Sequence, residues 1–178
     1  MRIIGGKFKS KSLFLPLDKN TRPLRDFVKE SIFNLIVHSK KINVEINNSI
    51  ILDLFSGSGS FGLECISRGA KFVNFFENYP EALKILKKNI SKMGVLENCK
   101  IIEENCFNHF REKKDNQKKY DIIFLDPPYK DKNLESILLN IKNEKILNSD
   151  GIIILHRHKK EKNIFSSQFK IVEEKKYG

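Results

Sequence analysis

Cysteine is scarce in this chain: Cys65, Cys99 and Cys106 form no CxxC pair and have no histidine at ligand spacing, which argues against a zinc site or any other metal site. Each stands in or beside an apolar run, where it serves as a small core residue, and an odd count without a secretory signal fits a reducing compartment. Long hydrophobic stretches are lacking too. Runs such as Ile152 to Leu155 fall far short of a bilayer span, so a soluble, cytoplasmic protein with no membrane partner is expected. No internal repeat and no Ser/Gly-rich or Pro-rich linker marks the start of a second core, and 178 residues with 40% hydrophobic content suit a single one. Acidic residues are the last shortage. Lys+Arg 33 against Asp+Glu 22 gives a formal charge of +11, which favours a polyanion, since each neutralised phosphate releases counterions. Nucleic acid is the first candidate, although a Lys-, Asn- and Ile-rich compositional habit would leave the same balance.

The order of elements is more informative than composition. Arg2 to Phe8 and Ser12 to Pro16 read as two short strands joined by a basic turn, and Leu24 to Val37 carries Leu24, Val28, Ile32, Leu35 and Ile36 at helical spacing. From Ile50 the pattern alternates. Strands are expected at Ile50 to Phe55, Lys71 to Phe76, Lys100 to Glu103, Tyr120 to Leu125 and Gly151 to Leu155, with a last one near Phe169 to Glu173. Helices are expected at Ser60 to Ser67, Pro80 to Lys92, around Cys106 to Arg111, and near Leu134 to Ile141. Such alternation means βαβ units and a mainly parallel α/β sheet covered on both faces. Ligands on these sheets bind at the carboxyl ends of the strands, so the loops after Phe55, Phe76, Glu103 and Leu125 should share one crevice.

The first of those loops is Asp53-Leu54-Phe55-Ser56-Gly57-Ser58-Gly59-Ser60-Phe61-Gly62. Its glycines fit G-x-G-x-x-G, and Glu77 follows at the distance of a ribose-binding carboxylate. By itself the loop serves a nicotinamide or flavin cofactor as well as it serves S-adenosylmethionine. Asp53 begins to separate them. A carboxylate inside a buried strand needs a cation or a donor, which S-adenosylmethionine offers through its ammonium and sulfonium and a pyrophosphate does not. Anchoring the loop amides is the plainer role for Asp53. Asn105 would sit at the adenine edge, or cap the helix that follows it.

The fourth loop, Asp126-Pro127-Pro128-Tyr129, carries the chemistry. Consecutive prolines stiffen the backbone and remove two donors, leaving carbonyls and a carboxylate as a fixed set of acceptors. An aromatic amine needs such a set, because its lone pair is delocalised into the ring. Asp126 Oδ and the Pro127 carbonyl would accept its two N–H groups and favour a pyramidal nitrogen, while Tyr129 stacks on the base. A merely stiffened turn with a buried Tyr is the alternative.

With these residues in view, Asp126-Pro127-Pro128-Tyr129 resembles the motif of amino-methylating class I methyltransferases, and Asp53 to Gly59 resembles their cofactor loop. Arg2-Ile3-Ile4-Gly5-Gly6, Thr21-Arg22-Pro23, Asp26, Glu30 and Phe33-Asn34 are similar to the N-terminal segment of the RsmD family of 16S ribosomal RNA guanine-N2 methyltransferases. The resemblance runs from Arg2 to about Leu155. It implies a Rossmann-like class I methyltransferase fold, a mostly parallel doubly wound sheet with a late antiparallel strand, preceded by an N-terminal β-hairpin and helix. Residues 1–40 are then an RNA-binding extension and 41–178 the catalytic domain. S-adenosyl-L-methionine is the implied cofactor, contacted by Asp53, Phe55, Gly57, Ser58, Gly59, Glu77, Asn78, Asn105 and Cys106. Asp126, Pro127, Pro128 and Tyr129 are the catalytic set, and the substrate is a guanine of 16S rRNA in an assembling or assembled 30S subunit, modified by a monomer. N6-adenine methylation of DNA or RNA is the alternative for the same motif. The chain departs from the family at Ser10-Lys11, Leu24, Phe27 and Lys29, which bear on RNA contact alone.

Arg2, Lys7, Lys11, Arg22, Arg25 and Lys29 crowd into the first thirty residues, with Lys9 among them, and are expected to contact phosphates, which position a substrate without reading it. Each alone is better read as a solvated surface charge, and it is collectively that they form an RNA platform. His156-Arg157-His158-Lys159 is more basic than the family leads one to expect, and no partner for its histidines is evident in the sequence.

Overall fold

The computed structural model describes residues 1–18, 23–106, 119–128, 133–158, 161 and 169–177. Apolar runs rich in Ile, Leu and Phe form five strands: β1 (Ile50–Leu54), β2 (Phe72–Phe76), β3 (Cys99–Ile102), β4 (Tyr120–Leu125) and β5 (Leu147–Leu155). All pair in parallel in the order β3-β2-β1-β4-β5. The helices are α1 (Asp26–His38), α2 (Ser60–Ser67), α3 (Pro80–Met93) and α4 (Leu134–Asn143). Pro80 opens α3 where a missing N–H costs nothing, and Gly94, at φ 68°, closes it in the left-handed region. No described helix is long and apolar enough to cross a membrane.

Strand periodicity divides the core between the two faces of the sheet. Ile51, Val73, Phe75, Ile122 and Phe124 belong to the cluster that takes in α1, α2 and α3, while Leu52, Leu54, Phe76, Ile123 and Leu125 belong to the cluster under α4. The chain lays β2 and β3 on one side of β1, then returns to lay β4 and β5 on the other. The carboxyl ends of β1 and β4 therefore flank the switch point, where open sheets of this kind leave a crevice.

Residues 1–38 share the first of those cores, since Ile3, Leu13, Leu24 and Phe33 pack in one cluster with Ile51, Phe61 and Phe75. The hairpin holds together through Ile3 N–H to Lys11 O at 2.9 Å and Leu13 N–H to Met1 O at 3.1 Å, with an antiparallel bridge between Arg2 and Ser12. It is anchored by buried polar groups. Glu64 of α2 accepts the Ile4 and Gly5 N–H groups, each at 2.8 Å, and Ser67 Oγ donates to Gly5 O at 2.6 Å. Gly6 presses so closely on α2, at φ +70°, that a Cβ there would lie 1.9 Å from Ser67 O.

Lys29 is a correction to the expected RNA contacts. Its side chain is fully buried, with Nζ donating to Arg2 O at 2.6 Å and lying 3.6 Å from the equally buried Glu64 carboxylate. Burial lowers its pKa, against the opposing pull of Glu64 and Asp26. The ammonium is a staple between α1, α2 and the hairpin, and it cannot reach a phosphate.

Two further differences concern the end of the sheet. Strand β5 begins at Leu147 instead of Gly151, because a register shift opposite Tyr120–Ile122 absorbs the turn-like Asn148-Ser149-Asp150. The strand expected near Phe169 to Glu173 is not formed, since residues 169–177 join no ladder, and no late antiparallel strand is found among the described residues. Ile171 and Val172 point to solvent, and the segment is tied down by side chains: Tyr177 bonds to Ser31 Oγ and meets Phe27 edge to face, and Lys41 pairs with Glu173 at 3.2 Å. The helix expected around Cys106 to Arg111 lies, beyond Cys106, outside the described residues.

Glu64→Ala would strand the Lys29 ammonium and two backbone donors in the core, so urea unfolding should show a loss of about 3–5 kcal/mol. Pairing it with Lys29→Met should recover much of that loss, because the uncompensated charge leaves as well.

Candidate active site

The period of two that separates the core faces also aims the acidic residues. Asp53 is in phase with Ile51 on β1, Glu77 with Phe75 beyond β2, and Asp126 with Phe124 beyond β4, so adjacent strands β2, β1 and β4 each bring a carboxylate to one end and one face. Asp53 is 1% exposed and its Oδ2 accepts the Gly62 N–H at 3.0 Å, which gives it the loop-anchoring role. Its pKa is raised well above the usual carboxylate range, first by burial and then by the charges of Asp126 and Glu77, with the Gly62 N–H opposing. Among the described residues, no cationic side chain is one of the groups acting on it.

Glu77 organises the glycine loop from the neighbouring strand. Its Oε2 accepts the Gly57 N–H at 2.7 Å, and its Oε1 accepts the N–H groups of Asn78 at 2.9 Å and Tyr79 at 2.8 Å. Both lone pairs of Oε1 are thereby engaged, whereas Oε2 keeps a second one for the hydroxyls of a ligand. Gly62 lets α2 settle on the sheet, since a Cβ there would meet the Phe75 ring at 2.3 Å. Phe55, a residue with a side chain held at φ 60°, turns the backbone out of β1 into the crevice.

A cavity of about 210 Å³ opens beside these groups, lined by Phe55, Glu77, Asn78, Asn105, Cys106 and Pro128, with Phe76 and Glu104. The structure thus brings together expected cofactor residues from three loops and one member of the catalytic loop. Gly57 adjoins the cavity through Glu77. Ser58 and Gly59 lie deeper: the Ser58 carbonyl accepts from Asn89 Nδ2 at 2.9 Å, and Gly59 starts α2. Pro127 is half-buried and Pro128 exposed, whereas Tyr129 lies outside the described residues.

Two groups at this site have no role assigned from the sequence. Asn89, fully buried on α3, also accepts the Phe14 N–H at 2.8 Å and donates to Phe14 O at 3.1 Å, so it ties the hairpin's second arm to the glycine loop. Its position on the apolar face of an amphipathic helix was the available signal. The other is His156, whose Nδ1 lies 2.8 Å from Asp126 Oδ1.

The chemistry of this donor set decides between the cofactors that fit the glycine loop. Buried Asp53, with little compensation and with Glu77 and Asp126 beside it, disfavours a pyrophosphate and suits a ligand that carries positive charge. The comparisons agree. The family described as "Conserved hypothetical protein 95" matches residues 1–178. The chain belongs to this family, that of the RsmD methyltransferases. It is 37% identical over 155 residues to Ribosomal RNA small subunit methyltransferase D of Buchnera aphidicola subsp. Baizongia pistaciae, covering 86% of this chain and 74% of that one. It is 30% identical to the protein of that name from Haemophilus influenzae, covering 100% and 89%. Among solved structures, yhhF of Escherichia coli, to which methyltransferase activity is ascribed, superposes with a TM-score of 0.82 at 26% identity, over 100% of this chain and 92% of that one. The fold is that of the class I methyltransferases, and the cofactor of the RsmD-family chain is S-adenosylmethionine.

The raised pKa of Asp53 carries a sign. The folded chain holds this proton at a pH where the unfolded chain has released it, so the group's contribution to stability falls as pH rises from the ordinary carboxylate range through the folded pKa. Asp53→Asn keeps an acceptor for Gly62 and removes the buried charge. It should raise the melting temperature of the free protein at neutral pH, yet weaken S-adenosylmethionine binding by about ten-fold or more, about 1.4 kcal/mol, by calorimetry.

Proposed function

We propose that this RsmD-family chain methylates the exocyclic N2 amine of a guanine in 16S rRNA of the small subunit, acting as a cytoplasmic monomer on an assembling or assembled 30S particle. The observation that carries the reading is the position of Asp126-Pro127-Pro128. They follow β4 at the switch point, with Pro128 on the cavity wall and Asp126 within electrostatic reach of Asp53. The names of the relatives supply the small-subunit rRNA.

Glu77 would accept the ribose hydroxyls of the bound cofactor, Asn105 its adenine edge, and Asp53 its positive charge. The cofactor supplies an electrophilic methyl carbon: the amine lone pair forms the N–C bond, the electrons of the broken S–C bond stay on sulfur, and the methylated nitrogen sheds one proton. Asp126 Oδ and the Pro127 carbonyl accept the two amine N–H groups, which localises the lone pair and holds the nitrogen in line. Asp126 is also the first acceptor for the released proton. Pro127 and Pro128, locked at φ and lacking N–H groups, keep these acceptors in place without offering a competing donor.

The exposed cations of the extension suit the phosphate backbone. Lys7 and Lys11 both lie over the Phe8 ring, at 4.9 and 4.8 Å, and Lys92 lies over the half-exposed Phe14 ring at 4.6 Å. Arg2 and Arg25 are exposed as well, and Arg22 is outside the described residues. Cations interleaved with aromatic rings fit an RNA chain that offers phosphates and unstacked bases together.

Labelled S-adenosylmethionine incubated with unmodified 30S particles, free rRNA or duplex DNA should label the particle preferentially, at guanine N2 by mass spectrometry. Labelling of adenine N6 instead would overturn the guanine assignment. Asp126→Ala should cut turnover by about 100-fold or more while cofactor affinity stays within a few-fold.

A further inference from the structure

His156 takes no part in the chemistry just described, yet it touches the residue on which that chemistry turns. It is the first residue beyond β5, as Asp126 is the first beyond β4, and the parallel pairing of the two strands continues past their ends: His156 N–H donates to Leu125 O at 2.9 Å. The two backbones are thereby locked side by side where the side chains leave the sheet. His156 Nδ1 then lies 2.8 Å from Asp126 Oδ1, with side chains 17% and 24% exposed, so the contact is largely sheltered from water.

With Asp126 ionised, an imidazole nitrogen at that distance must carry the proton. Nδ1 is the donor and Oδ1 the acceptor. No other hydrogen bond to Asp126 is formed among the described residues, so its carboxylate is held at this one point. Left alone, that carboxylate is poorly placed to stay in the crevice, because Glu77 already brings negative charge to the same end of the sheet, Asp53 adds a second when it ionises, and the proline turn fixes only its backbone. Rotation toward solvent would relieve the repulsion and remove the acceptor from the substrate.

We propose that His156 is a positioning residue for methyl transfer: donating from Nδ1 to Asp126 Oδ1, it fixes the carboxylate so that Oδ2 meets the substrate amine. The role rests on Asp126 as the acceptor of that amine. His156 acts by orientation through Asp126 and need not touch cofactor or RNA. A carboxylate tethered through one oxygen presents a single lone-pair direction to the amine with the other, which is what an in-line attack requires.

The test uses the full chain, saturating S-adenosylmethionine and 30S particles. His156→Leu should lower kcat by about 10- to 100-fold and leave S-adenosylhomocysteine affinity and the KM for the cofactor within about three-fold. His156→Asn, whose side-chain amide can donate from nearly the same point as Nδ1, should recover most of the lost turnover. A leucine variant at full kcat overturns the role, as does an asparagine variant no faster than the leucine one. Nitrogen-15 NMR of the unaltered protein provides a reading that survives any folding defect: a protonated Nδ1 at the assay pH is required, and a bare Nδ1 refutes the donor. Asp126→Ala separates the two levels. Full activity in that variant removes the amine-acceptor reading itself, whereas its inactivity beside a fully active His156→Leu removes only the role of His156.

Discussion

Negative charge concentrated at the switch point of the sheet is the constraint on which the rest of this protein depends. Strands β2, β1 and β4 are neighbours, and each delivers a carboxylate to the same end and face: Glu77, Asp53 and Asp126. Asp53 shows the consequence, since burial and its two acidic neighbours raise its pKa and, among the described residues, the Gly62 N–H alone opposes them. A fold tolerates such a site when a ligand supplies the missing positive charge, and the free protein gives up stability to keep it. The same charge balance distinguishes a sulfonium cofactor from a dinucleotide on a glycine loop that suits both.

Around that site the polar groups of the core act as fasteners. Glu64 and Lys29 staple the N-terminal hairpin to α1 and α2, and Asn89 binds the backbone of Phe14 on one side and of Ser58 on the other. The basic extension therefore shares its core with the sheet and is joined to the glycine loop by the buried amide of Asn89. Buried groups of this kind are costly to leave unpaired, so the path of the first fifteen residues is tightly specified.

Much of this was legible from residue order. Strands β1 to β4 and the four described helices fall within a few residues of their expected places, because apolar runs between Gly and Pro signals leave little choice of period. The expected cofactor residues Phe55, Glu77, Asn78, Asn105 and Cys106 meet at one cavity because a parallel sheet gathers its loops at one end. What escaped depended on tertiary partners. Lys29 looked like one more surface cation until Glu64, thirty-five positions away, was seen to bury it. His156 gained its partner only through the pairing of β5 with β4. Ile171 and Val172 imitate a strand, but no neighbouring edge receives them, and side chains of α1 hold the segment instead.

Proton exchange on cofactor binding tests the charge account most directly. Titrating the protein with S-adenosylmethionine in buffers of different ionisation enthalpy counts the protons released. A cationic ligand pulls down the raised pKa of Asp53, so protons should leave on binding, with affinity rising as pH climbs from the ordinary carboxylate range toward the raised pKa of the free protein. Binding without proton release at any pH across that range, or tighter binding of a nicotinamide dinucleotide, would contradict the account.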